Sequence, residues 1–151
     1  MPHGVLVVYL LFLGITMFAC GGPNRSDRAM FDAINKGNPD EIKRLVKEGF
    51  DINDLVNDKG EHTTPLITSI RTGNLDVVKL LIHEGANVNC RAQSGATPLQ
   101  VAALSNQPDI VALLQKHGAT LALSADFRVT FYSVINLPDY KKVHDLLEGM
   151  K

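Results

Sequence analysis

The sequence predicts an all-α solenoid of about four short helix–turn–helix repeats, preceded by an apolar leader. Two observations predict the repeats: the triplet Thr-Pro-Leu at 64–66 recurs at 97–99, and the pair Gly-Ala at 85–86 recurs at 118–119, both 33 residues later. A third is composition, since only 6% of residues are aromatic and Trp is absent. Such a chain builds its core from thin aliphatic layers, and one unit buries its apolar faces only by stacking on its neighbours.

The leader differs in composition from the rest of the chain. Residues 1–20 contain 15 apolar residues and none of the 31 charged ones. The apolar run from Val5 to Ala19 is shorter than the about 20 residues that a membrane-spanning helix needs, and it has the length of a signal-peptide core. The leader is therefore predicted to direct export.

The end of the leader, Ala19-Cys20-Gly21, resembles the lipobox of bacterial lipoproteins, with Met17 and Phe18 where that family usually has Leu and a small residue. The resemblance implies a signal peptide at 1–19, lipidation of Cys20 and a polar tether at 20–27. In Gram-negative bacteria it further implies a protein anchored in the outer membrane and facing the periplasm. A plain secretion signal and an uncleaved tether remain as alternatives.

In each repeat, the first helix is predicted to begin after a threonine N-cap, Thr64 or Thr97, with proline at the first helical position. It is short and ends at Gly73 or Asn106. The second helix is predicted to begin near Asn74 or Pro108, with an acidic residue in its first turn, which is favourable against the helix dipole. Glycines in left-handed C-caps are predicted to end it, at Gly49, Gly85 and Gly118.

These features resemble the ankyrin repeat, whose Gly-Ala-x-Val-Asn ending is matched in full at 85–89. The resemblance implies one domain over 28–150, with repeats at about 28–58, 59–91, 92–124 and 125–151. The first and last are predicted to be caps. Within the last cap, 127–135 has the local pattern of a strand, but the repeat register predicts a helix, and the aromatic residues there are predicted to form cap core.

Two departures from the family bear on the surface. Its usual His after Thr-Pro-Leu is replaced by Ile67 and Gln100, so the hydrogen bonds made by that His are expected to be missing. The loop between Asn53 and Thr64, which the resemblance implies projects as a finger, is three residues longer than its counterpart between Asn89 and Thr97.

The resemblance implies that the fingers and first helices form a concave surface that binds another protein. The family's variable contact positions, together with the long finger and its apolar residues 55 and 56, give the following candidates: Leu55, Val56, Asp58, Lys59, Glu61, Thr63, Arg71, Thr72, Gln93, Ser94, Ala96, Leu104 and Ser105.

Several functions are disfavoured by the sequence. The formal net charge is −1 with no basic stripe, which argues against nucleic-acid binding. No phosphate-binding loop, His-Glu-x-x-His motif or catalytic constellation is present, so neither an enzyme nor a cofactor is expected. The isolated histidines, such as His83 and His117, are predicted to be solvated side chains rather than metal ligands. Cys90 is predicted to be a small half-buried thiol, with a redox-sensitive thiol facing His62 as the alternative.

We therefore expect a membrane-tethered protein–protein interaction module in the bacterial envelope, monomeric or in a 1:1 complex. A specific version is an inhibitor or immunity protein that blocks a toxic effector enzyme. The alternatives are an accessory factor of a periplasmic enzyme, for example in oxidative stress with Cys90 as a sensor, and a secreted ankyrin effector.

Overall fold

The computed structural model describes residues 25–58, 60–123 and 125–150. The predicted signal peptide and the lipidation residue Cys20 lie outside these ranges. The secondary structure consists of α1 (Arg25–Lys36), α2 (Pro39–Lys47), β1 (Val56–Asp58), β2 (Glu61–Thr63), α3 (Pro65–Thr72), α4 (Leu75–His83), α5 (Pro98–Leu104), α6 (Pro108–Lys116), α7 (Ala125–Ile135), a 3-10 turn (Pro138–Tyr140) and α8 (Lys141–Glu148).

The helices form four consecutive antiparallel pairs that stack into a solenoid. The first helices, α1, α3, α5 and α7, pack in series and form the inner layer. Of the second helices, α4, α6 and α8 pack in series as the outer layer, while α2 packs on α1. The predicted all-α repeat solenoid is confirmed, and its core lies between the two layers.

Helix starts follow the predicted threonine caps. The Thr64 hydroxyl accepts a hydrogen bond from the backbone N–H of Ile67, and Thr97 accepts one from Gln100. A proline occupies the first turn of each of these helices. In the second helices, Asn74 caps α4 through bonds from Asp76 and Val77.

Helix ends use the left-handed backbone conformation. Gly85 and Gly118 have φ of +96° and +82°, and the N–H that follows each one returns to a carbonyl of the last helical turn. A side chain is strained in this region, which explains the recurring glycine. Asn106 occupies the same conformation, with φ of +51°, at the end of α5. Asparagine is one of the few residues that tolerate it.

The core is aliphatic, as the composition predicts. Leu66, Leu81, Leu99 and Leu114 are fully buried at equivalent positions of the two central repeats. In the last repeat the large side chain is Phe131, which is fully buried in α7. Each layer thus contributes aliphatic side chains to one continuous core, which an aromatic residue closes at the end.

The C-terminal cap is helical where its local sequence pattern favours a strand, as expected for a further repeat. Residues 125–135 are helical, and α7 buries Phe131 and Ile135 on one face. Tyr140 lies in a 3-10 turn ahead of α8, and its hydroxyl donates to the carbonyl of Leu104. Among the predicted aromatic residues of the cap, the Phe127 side chain lies outside the described part.

Two local features differ from the structure expected from the sequence. Helix α1 begins at Arg25, so residues 25–27 of the expected tether are helical. The long finger also forms a two-stranded antiparallel hairpin, in which Val56 pairs with Thr63 and Asp58 with Glu61.

Asparagines clip each repeat to the next. The Asn53 side chain donates to the carbonyl of Gly85 and accepts from the N–H of Asn87. One repeat on, Asn89 donates to Gly118 and accepts from the N–H and hydroxyl of Thr120. The same side chain thus satisfies backbone groups that the helix end leaves unpaired.

Gln100 corrects one expectation about the missing histidine. Its amide Nε2 donates to the carbonyl of Ala122 at 2.7 Å, and its Oε1 accepts from the N–H of Thr97 at 3.0 Å. An amide carries both a donor and an acceptor, so Gln100 joins the start of α5 to the loop after α6 without an imidazole. The expectation that these bonds are missing was wrong at this position, whereas Ile67 simply packs in the core.

Candidate protein-binding surface

The long finger is a structured hairpin. Its strands flank a turn in which the N–H of Gly60 donates to the side-chain oxygen of Asn57 at 3.0 Å. The extra residues of this loop provide the length for the paired strands. The strand pairing and the turn therefore fix the backbone conformation of the long finger.

The next finger is bonded alongside this hairpin. The N–H of Gln93 donates to the carbonyl of His62 at 2.8 Å, and the Ser94 hydroxyl donates to a carboxylate oxygen of Glu61 at 3.0 Å. Arg91 supports the same finger by donating to the carbonyl of Gly95. The two fingers thus form one continuous edge.

An ion pair joins this edge to the inner helix α3. Nη2 of Arg71 lies 2.9 Å from Oε2 of Glu61. Together with the bond from Ser94, the Arg71 guanidinium holds the pKa of the Glu61 carboxyl below its ordinary value. Three of the predicted contact residues, from β2, α3 and the third repeat's finger, are therefore brought together in one polar cluster.

Two predicted contact residues are corrected by the structure. Val56 is 1% exposed and Thr63 is fully buried. They face each other across the hairpin, and cross-strand partners point to the same side of a ribbon. That side packs against the stack, with β1 contacting α1. The expected apolar anchor Val56 is thus core, whereas its neighbour Leu55 is 45% exposed.

The other predicted residues have mixed exposure. Thr72, Gln93, Ser94 and Ser105 are exposed, while Ala96 and Leu104 are half-buried. Leu104 and Ser105 lie at the end of α5, one inner helix beyond Arg71. The side chains of Asp58 and Lys59 lie outside the described part of the chain.

Some residues that shape the surface were missed in the sequence. Asn89 and Arg91 hold the third repeat's finger in place through side chain–backbone bonds. The recurrence of asparagine at the end of successive repeats, Asn53 and Asn89, was a usable signal for the clip. Arginine does not recur in this way, so the sequence offered no comparable signal for Arg91.

Cys90 is a half-buried residue at the start of the third repeat's finger. Its Sγ is 3.1 Å from the hydroxyl of Thr64, the residue that caps α3. Burial raises the pKa of the thiol, against a smaller opposing effect of the bond to Thr64. The redox alternative expected Cys90 to face His62, but the hydrogen-bonding partner that the structure places there is Thr64.

His83 lies at the end of α4. His83 is 84% exposed at its side chain, and its nearest acidic group is the adjacent Glu84 at 3.6 Å. Across residues 25–58, 60–123 and 125–150, no group of three His, Cys, Asp or Glu side chains is placed to hold a metal ion. In the same ranges, no helix has both the length and the apolar character to cross a bilayer.

The surface presents hydroxyl, amide and ion-paired groups on a stack of helix–turn–helix repeats. A family model described as ankyrin repeats (3 copies) matches residues 29–124. The chain therefore belongs to the ankyrin-repeat family, a class of protein–protein interaction modules that are typically non-enzymatic scaffolds. A comparison with curated proteins gave no match.

Proposed function

We propose that this chain is a membrane-tethered protein–protein interaction module of the bacterial envelope, lipidated at Cys20. The observation that carries the proposal is the order of its parts. An apolar leader ends at Ala19-Cys20, and the first helix of a recognition stack begins at Arg25.

Lipidation explains why so small a binding domain would carry such a leader. Each buried CH₂ contributes about 0.8 kcal/mol, so two or more acyl chains hold a protein at a membrane. The five residues from Cys20 to Asn24 span at most about 17 Å when fully extended. A lipidated Cys20 thus keeps the domain next to the bilayer.

The partner in this proposal is a toxic effector enzyme that reaches the periplasm, and the chain acts as its inhibitor or immunity protein. A scaffold without chemistry of its own neutralises an enzyme by covering its active site. Retention at the membrane keeps it where such an enzyme enters. The support is the combination of a tether with the finger edge around Glu61 and Arg71.

The oxidative-stress alternative has less support from the residue on which it depends. The reactive form of cysteine is the thiolate, and burial raises the pKa of Cys90. A Cys90→Ser variant is therefore expected to behave as the unsubstituted protein does under peroxide. A changed response to peroxide would favour the sensor instead.

The tether is tested by cell fractionation of the full chain with single cysteine substitutions. Cys20→Ala is expected to leave the membrane pellet, whereas the matched control Cys90→Ala is expected to remain there. Inhibition of lipoprotein signal peptidase is expected to increase the apparent mass. A Cys20→Ala protein that stays in the pellet, or an inhibitor without effect on size, would contradict lipidation.

The partner is tested by crosslinking in intact cells, followed by purification of the tagged chain from membranes. The inhibitor version predicts a co-purifying effector enzyme whose activity falls when the chain is added back. Recovery of no envelope or effector protein contradicts this version and leaves the fractionation result unaffected.

A further inference from the structure

The surface of the third repeat is free of charge over an unusually long stretch. Residues 92–108, which cover its finger after Arg91, all of α5 and the following turn, contain no Asp, Glu, Lys or Arg. The corresponding stretch of the second repeat, 59–75, contains Lys59, Glu61 and Arg71. The two central repeats therefore offer a partner different electrostatics.

The repeat register shows which side chains replace the charged pair. A shift of 33 residues carries Glu61 to Ser94 and Arg71 to Leu104. In the second repeat the ends of the two long side chains meet as an ion pair, with 2.9 Å between Nη2 of Arg71 and Oε2 of Glu61, so both side chains extend over the same surface. In the third repeat the two positions hold a hydroxyl and a half-buried leucine.

The neutral strip is defined as six of the exposed and half-buried residues in this stretch: Gln93, Ser94, Ala96, Leu104, Ser105 and Asn106. One border is the Glu61–Arg71 pair, whose charges neutralise each other, and Ser94 touches that pair directly. At the finger the border is Arg91, whose guanidinium bonds to the carbonyl of Gly95. The loop beyond it, 118–123, is also uncharged.

We infer that the neutral strip docks a partner segment that itself carries no charged side chain. The segment places an apolar side chain on Leu104 and hydrogen-bonding groups opposite Gln93 and Ser105. A charged side chain of the partner that is buried against this strip loses its hydration and finds no opposite charge within the strip, so an uncharged segment is favoured. Amide and hydroxyl groups satisfy uncharged polar groups instead.

This inference rests on the proposed function in one respect, that the partner is a protein, and it is independent of the lipid anchor. The outcome of the Cys20→Ala fractionation does not affect the inference about the neutral strip, and a failed docking test does not affect the proposal of a lipid anchor. The two results are therefore separable.

The test uses the full chain in detergent, immobilised by a C-terminal tag, and a phage library of random twelve-residue peptides. Enriched peptides are expected to contain a smaller fraction of Asp, Glu, Lys and Arg than the unselected library. Their affinity is then measured on two matched variants of the third repeat. Ser105→Glu adds a charge in the strip, and Ala112→Glu adds one on the exposed outer face of α6.

The inference predicts that Ser105→Glu weakens binding about tenfold or more, while Ala112→Glu leaves it unchanged. If the Ser105→Glu variant loses its helical circular dichroism, peptide affinity is measured on Gln93→Glu, which adds a charge in the finger instead. Enrichment of charged peptides, binding that survives both strip variants, or no enrichment at all would overturn it.

Discussion

Arg71 of the inner helix α3 and Glu61 of the finger hairpin form an ion pair, with 2.9 Å between Nη2 and Oε2. The pair joins the inner helix of the second repeat to its finger, and the bond from Ser94 joins the third repeat's finger to the same carboxylate. The pair is thus one of several contacts that hold the two fingers together. The same two positions one repeat later mark the beginning of the neutral strip.

The stability effect of this pair is expected to be small and dependent on pH. Both side chains are more than one-third exposed, so Arg71→Ala should lower the free energy of unfolding by less than about 1 kcal/mol at neutral pH. Because the pKa of Glu61 is lowered in the folded state, the stabilisation is present above the unfolded-state pKa. It is lost as the pH falls below about 4.3, the ordinary value for glutamate.

Urea denaturation of the unsubstituted and Arg71→Ala proteins at pH 7 and at pH 3 measures this effect. The difference in stability should shrink at the lower pH, and Glu61→Gln should reproduce the loss at pH 7. A difference that is the same at both values would show that the charge on Glu61 contributes nothing.

The asparagine clip is expected to matter more for stability than the ion pair. Asn89→Ala removes three hydrogen bonds, two to the backbone of Gly118 and Thr120 and one to the Thr120 hydroxyl. These groups are exposed and water replaces part of what is lost, so the variant should lose about 0.5–1.5 kcal/mol, as measured by urea denaturation. The control Asn35→Ala lies on the exposed side of α1 and should have no destabilising effect; equal losses in both variants would contradict a specific clip.

Leu55 and Val56 are neighbours in the long finger, and substituting each one tests which of them is buried. Val56→Ala creates a cavity in the core and should cost about 2 kcal/mol, whereas Leu55→Ala at an exposed site should stay within about 0.5 kcal/mol. Thermal or chemical unfolding of the two single variants makes the comparison. Equal costs, or a larger cost at Leu55, would mean that the hairpin faces the other way.

Cys90 is expected to react slowly with alkylating agents. Burial raises the pKa of its thiol, so the thiolate fraction near pH 8 is smaller than for a free cysteine. Timed iodoacetamide labelling, followed by mass spectrometry of the peptide that contains Cys90, should show slow labelling in buffer and fast labelling in urea. Equal rates in the two solvents would restore the case for a reactive thiol.

The sequence predicts the fold well because its signals are local and repeated. Thr64 and Thr97 cap helices by bonding three residues ahead, and Gly85 and Gly118 end helices by their own conformation. The repeat pattern also predicts a helix in the last repeat, where the local pattern alone favours a strand, although α7 begins six residues before the position that a shift of 33 from α5 gives.

The surface was less predictable because it depends on contacts between repeats. The candidates Glu61, Arg71 and Ser94 were found as separate positions, but their bonding to one another appears in three dimensions. The burial of Val56 and Thr63 follows from the pairing of two three-residue strands, which are too short for a clear alternation.

Gln100 shows the same limit. Replacement of the family's histidine suggested lost hydrogen bonds, yet the amide reaches the carbonyl of Ala122 in the loop after α6. Predicting that bond requires the position of a loop 22 residues away.

The intact mass of the protein purified from membranes of its source tests the central claim, a recognition module held by lipid. The account predicts a chain that begins at Cys20, lacks residues 1–19 and carries the added mass of acyl groups on that residue. A chain that begins elsewhere, or that carries Cys20 without added mass, would contradict it.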